Sequence, residues 1–217
     1  MRPSLQPLRL CCRLRLLCAS ALLGLLSGCS LLPHAEPNDV YLLPGSVSRQ
    51  TNSGTAVDWS LRVAKPQANQ VLDNSRIAVL PEGSLISSYK GARWSDAGPV
   101  LLRDRLIEAF QADGRITSLS SDDTQLQADL ELLSDLRAFQ SEYRTGQPEV
   151  VIRLDVRLVQ SATRKIVAMQ RFETRQASSS AQVADVVTAF GLASNALAGQ
   201  LLTWTLQQGQ LQARNLR

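Results

Sequence analysis

Apolar and polar residues alternate most cleanly between Val150 and Leu158. There Val150, Ile152, Leu154, Val156 and Leu158 interleave with Arg153, Asp155 and Arg157. A period of two marks a strand with one buried face. Ser161–Arg164 reads as a hairpin turn, and Ile166, Ala168, Gln170, Phe172 and Thr174 predict one face of the return strand. Upstream, Leu126, Ala128, Leu130 and Leu132 alternate with Gln127, Asp129 and Glu131, then restart out of phase at Leu136, Ala138 and Phe139. A one-residue slip within a long strand predicts a bulge. Thr145-Gly146-Gln147-Pro148 is the turn between these runs. Together the three strands predict an antiparallel meander with one wet and one dry face.

Shorter extended pieces precede it. Asp39–Leu43, ended by Pro44-Gly45, predicts an entering strand, and Ser46–Thr55 a polar loop. Val57, Trp59, Leu61 and Val63 alternate up to Pro66, which stops the strand because proline lacks the ladder donor. Arg76–Leu80 suits a central strand closed by Pro81, and Ser84–Trp94 one or two extended pieces with a turn or bulge at Gly91. Ile116–Leu119 is a further strand candidate, and Asp122-Asp123 a turn.

Two segments switch to helical spacing. Leu102, Leu106, Ala109 and Phe110 line one face of a helix over about Ala97–Ala112, with Arg103, Asp104 and Glu108 facing out. Asp96 is placed to cap it, Pro99 fits its first turn, and Gly114 ends it. Val183, Val187, Phe190, Leu197, Leu201 and Trp204 form a stripe over about Ala181–Gln207, with Ser179 and Gln182 at capping-box spacing. Asp185, Asn195 and Gln200 within it, and the lack of charged flanks, argue against a membrane span. Gln208–Arg217 has little to bury and reads as a tail or an oligomer contact. The expected fold is α+β: a mixed, largely antiparallel sheet with two main helices packed on one face.

The first residues follow another logic. Arg2, Arg9, Arg13 and Arg15 precede the apolar run Leu16–Leu26, which is too short to span a bilayer. That is the layout of a secretory signal peptide. Leu26-Ser27-Gly28-Cys29 then resembles a bacterial lipobox. The resemblance implies a diacylglyceryl group on the Cys29 thiol, cleavage before it and acylation of the new amine. A plain signal peptide cut nearby would instead leave Cys29 a free thiol. Ser30 follows the cysteine where an Asp would commonly signal inner-membrane retention, so the resemblance implies the periplasmic face of the outer membrane. The division expected is signal peptide 1–28, lipidated tether 29–38, domain 39–209 and tail 210–217. His34, the single histidine, falls in the tether as a solvated residue.

The signal distorts the composition. Of 23 Lys and Arg, four lie before Cys29, whereas all 19 Asp and Glu lie after it, so the mature chain is formally neutral. A nucleic-acid reading from net charge therefore fails. All four cysteines lie at or before position 29, which leaves the body none for disulfides. Its stability must come from a core of Leu, Val, Ile and Ala, with Trp59 and Trp204 on the apolar stripes.

The order of motifs is itself informative. After the lipobox come Tyr41-Leu42-Leu43-Pro44, Ile77-Ala78-Val79-Leu80-Pro81, and Tyr89-x-Gly91-x-Arg93-Trp94. Pro99, Leu101-Leu102, a helix ending at Ala109-Phe110, the long strands and an alanine-rich last helix follow. From about Tyr41 to about Gln207 this resembles the ABC-type transport auxiliary lipoproteins, the family of PqiC-like intermembrane transport lipoproteins. The resemblance implies an accessory subunit of a system moving lipids between membranes. Its implied partners are an ABC permease with its ATPase and a membrane-anchored MCE-domain conduit, with ring-like self-assembly also suggested.

No catalytic motif stands out: Gly-x-Ser-x-Gly, P-loop and dinucleotide fingerprint are all missing. One histidine and one blocked cysteine supply no zinc site, so no metal, cofactor or enzymatic activity is expected. Asp122-Asp123 and Asp129/Glu131 read as turn and solvated strand carboxylates. Tyr89, Arg93 and Trp94 are the candidate partner-binding residues, because Tyr, Trp and Arg dominate binding hot spots. The competing reading has Trp94 plugging the seam between strand and first helix. The alternative function is a lipid carrier with an acyl cavity between sheet and last helix.

Overall fold

The computed structural model describes residues 38–45, 54–124, 126–144 and 146–215. Cys29, His34, the rest of the signal and tether through Pro37, and residues 46–53 of the expected polar loop lie outside the described residues. The chain builds β1 (Asp39–Tyr41), β2 (Leu61–Val63), β3 (Arg76–Glu82), β4 (Leu85–Trp94) and helix α1 (Gly98–Asp113). Then come β5 (Leu119–Ser121), a 3-10 turn (Asp122–Thr124), β6 (Leu130–Tyr143), β7 (Pro148–Gln160), β8 (Lys165–Ala177) and helix α2 (Val183–Asn215). All eight strands join one mixed sheet, mostly antiparallel by length, and the fold is α+β as expected.

β6 is the spine of that sheet. One edge pairs antiparallel with β7, which in turn pairs with β8. The other edge is shared. β2 runs parallel along its start, from Leu61 opposite Leu130 to Val63 opposite Leu132. β3 runs parallel near its end, with Val79 opposite Ser141. At 14 residues, β6 is long enough for both short partners. β5 adds beyond β2, and β4 then β1 add beyond β3.

The predicted irregularities are present, with shifts. β6 slips register between Leu136 and Ala138, leaving Arg137 as the extra residue. β4 carries the bulge around Gly91, whose φ of 67° suits a residue without Cβ. Pro81 does not close its strand; β3 runs on to Glu82, and the ladder is irregular between Val79 and Glu82, where proline's missing donor is tolerated. A second slip, beside Leu158 and Val159, sets Ile166 opposite Val159. Ile166 therefore leaves the face of Phe172 and Thr174 and is exposed. Only Leu61–Val63 of the predicted Val57–Val63 strand pairs as a ladder, although Trp59 is buried.

Both helices pack against each other, and α2 lies over β7 and β8. In α1, Leu102, Leu106 and Phe110 are buried as the spacing requires, and Gly114 caps the end. Asp96 does not cap it: Ala97 is the N-cap and makes no side-chain bond. Arg103, expected to face out, is buried because Asp104, Asp122 and Asp123 hold its guanidinium at 2.8–3.1 Å. At the start of α2 the hydroxyl acceptor is Ser180, not Ser179; it accepts from the Gln182 N–H at 3.0 Å and donates to Asp185.

The segment read as a tail is helix through Asn215. Gly209 is buried, and a Cβ there would lie 2.3 Å from the Trp59 ring. A contact made by a missing side chain leaves no apolar periodicity to read.

Candidate functional site

Three places carry polar or aromatic groups beyond ordinary packing. The first is the end of β4. Trp94 is fully buried, 5.1 Å centroid to centroid from Phe190 of α2 and 6.0 Å from Phe139 of β6. It plugs the seam between the strands and α2, so its indole is not a contact surface. Tyr89 is half-buried and donates its hydroxyl to Ser141 Oγ at 3.1 Å; burial pushes its phenol upward. Arg93 alone of the three is exposed. β4 thus presents Arg93 to solvent and keeps the aromatic weight of the motif inside.

The second is an open cleft of about 650 Å³ where β2, the start of β6, the β7–β8 turn and the end of α2 converge. Trp59, Arg62, Asp129, Glu131, Arg164 and Gly209 are among its walls. Arg62 pairs with Glu131, its register partner across β2 and β6. Glu131 was expected on a solvated strand face, but it is only 5% exposed, because β2 covers that edge of β6. Asp129 Oδ2 accepts from the Ser60 N–H at 2.8 Å and from the Ser60 hydroxyl at 2.6 Å. Those bonds hold the Asp129 carboxyl below the usual carboxylate range. Asp129 is thereby a weaker base than a free carboxylate.

The third is the wet face of the β6–β8 meander, a lattice of ion pairs. Asp135 stands directly opposite Asp155, and Glu142 opposite Glu149. Like charges so placed destabilise a sheet unless something bridges them. Arg137, the bulge residue, lies 3.6 Å from Asp135 and 2.9 Å from Asp155. Arg175 spans Glu149 at 3.1 Å and Glu142 at 3.9 Å. Hydrogen bonds from Arg171, then from Arg137, pull the Asp155 carboxyl down to about 2 against its desolvation. Arg153 does the same for Glu173 from 2.6 Å, lowering it.

The sequence shows these arginines only as the polar half of an alternation. The available signal is their type, since Arg153, Arg157, Arg171 and Arg175 stand at alternating positions where lysine would serve solubility equally well.

A family model described as "ABC-type transport auxiliary lipoprotein component" matches residues 41–201. The chain belongs to that family of transport auxiliary lipoproteins. It is 32% identical over 148 residues to an uncharacterised protein of Bradyrhizobium diazoefficiens, covering 68% of this chain. The chain spans only 39% of that relative's length. Among solved structures it resembles protein XCC0632 of Xanthomonas campestris, with a TM-score of 0.76 and 30% identity, covering 81% of this chain and 99% of that one. A further uncharacterised protein shares the fold at 13% identity and a TM-score of 0.61, covering 78% of this chain and 99% of that one.

Proposed function

We propose that this protein is an outer-membrane-anchored lipoprotein that acts as the auxiliary, docking subunit of an MCE/ABC-type intermembrane lipid transport system. The family supports the transport association, and Leu26-Ser27-Gly28-Cys29 followed by Ser30 supports the anchor. Each buried lipid CH₂ contributes about 0.8 kcal/mol, so acyl chains on Cys29 hold the body at the bilayer without any span. Lipidation of Cys29 gives the molecule a fixed address, and its work is then to position a partner there.

The observation that favours a dock over a carrier is the filling of the core. An acyl cavity would need room between sheet and last helix. That space holds Trp94, Phe139 and Phe190 at one end, and Phe172 against Trp204 at 5.7 Å at the other. Arg93 and the rim of Tyr89 on β4 belong to the same reading, as partner contacts backed by the buried Trp94.

The test uses the tagged full chain extracted from membranes in mild detergent. Co-purification of the MCE-domain protein with the permease and ATPase is the expected result. A co-purifying lipid with none of those subunits would point to the carrier instead. Cys29→Ala is expected to leave the precursor unacylated and to remove stable membrane retention; an acylated, membrane-held mutant would contradict the anchor.

A further inference from the structure

The wet face of β6–β8 is not electrically even. Among the described residues, seven arginines and six carboxylates make its ion pairs, and no lysine takes part. The charges also differ in height. Arg137, Arg144, Arg164 and Arg171 have side chains 54–74% exposed, whereas no carboxylate of the lattice exceeds 35%. These four guanidinium groups ride above the acids, whereas Arg153, Arg157 and Arg175, at 30–34%, lie level with them. Over the middle of the sheet an approaching molecule meets Arg137 and Arg171 first.

Carboxylates hold Arg137, Arg144 and Arg171 through Nε and Nη2, and a guanidinium carries further N–H donors beyond those two. Side chains already ordered lose less entropy when a partner binds. In their midst Met169 is 71% exposed, directly opposite Arg157 in the ladder. Arginine and methionine are enriched in protein interfaces, and lysine is depleted there. Two copies of this chain meeting face to face would set guanidinium against guanidinium, so self-association through this surface is disfavoured.

We propose that the outer face of β6–β8 docks a carboxylate-rich protein surface, with Arg137, Arg171 and Met169 at its centre. This rests on the docking reading above and names the chemistry of the docked partner. Exposed carboxylates of that partner take the free donors of the guanidinium forks, and Met169 supplies the apolar contact between them. Bidentate arginine–carboxylate geometry gives the contact its register.

The test measures affinity of the full chain for the periplasmic part of the MCE-domain protein. Binding should weaken at least tenfold in Arg137→Gln/Arg171→Gln, and should fall steeply as salt rises. Met169 makes no ion pair, so its variants separate charge from folding: Met169→Glu should weaken binding and Met169→Lys should not. Melting temperature and circular dichroism of each variant check the fold. Binding that ignores all three changes overturns the surface while leaving the docking reading intact. Arginine-dependent binding to phosphatidylcholine vesicles with phosphatidylglycerol, without binding to the protein, overturns the protein partner and makes the face a membrane contact. Failure of the unmodified chain to bind either one overturns the surface; the docking reading falls separately, if membrane extraction also recovers no transport subunits.

Discussion

Leu136, Leu154 and Phe172 stand in one row across β6, β7 and β8; Asp135, Asp155 and Arg171 stand in the next. One row faces α2 and the other faces solvent, and a step of one residue separates them. The dry row is held by area removed from water and by close packing, which are insensitive to pH and salt. The wet row is held by charge against charge, and part of that attraction offsets repulsion the sheet itself creates. The lesson is that one sheet carries two kinds of stability, and a substitution tells them apart by how conditions change its cost.

The largest expected effect is on the dry side. Trp94→Ala should cost about 3–5 kcal/mol, as truncation of a large buried aromatic does when the site cannot collapse. Denaturant unfolding should show that loss to be nearly the same at pH 5 and pH 8. A small loss would mean that Phe139 and Phe190 close the gap.

Glu131→Ala comes next, because it leaves the Arg62 guanidinium beside a removed partner in a half-closed site. It should destabilise more than Glu173→Ala, which opens a pair that water already reaches. Equal losses would show that β2 does not shield Glu131 from solvent.

The smallest effect depends on pH. Asp155 titrates near 2 in the fold, below its ordinary 3.8. A depressed carboxyl contributes stability that is fully present above the ordinary value and is lost as pH falls through the folded one. Asp155→Asn should therefore flatten the loss of melting temperature between about pH 4 and pH 2, with little change in slope at neutral pH. An unchanged acid limb would show that Arg171 and Arg137 do not hold Asp155 in solution.

Much of the sheet was legible because its signals are local. The alternations at Val150–Leu158 and in the restarting run before it place β7, the body of β6 and its bulge, although β6 begins at Leu130 and not at Leu126, which is exposed. Leu102, Leu106 and Phe110 place α1 for the same reason. The candidate site was less legible. The motif Tyr89-x-Gly91-x-Arg93-Trp94 was visible, but its composition does not say that the Trp94 indole turns inward onto α2. The arginine lattice was invisible as a surface, since the height of a charge depends on strands far apart in the chain.

Taken alone, the order of residues determined the strand and helix periods, the neutral and cysteine-free body, and the lipobox-like run ending at Cys29. Those properties depend on neighbours within a few positions. Tertiary structure alone decided that β2 and β3 share one edge of β6, that Gly209 makes room for Trp59, and that guanidinium groups stand above carboxylates on the open face. Each of these is set by segments that meet only after the chain has closed on itself, and no local period encodes which segment will arrive.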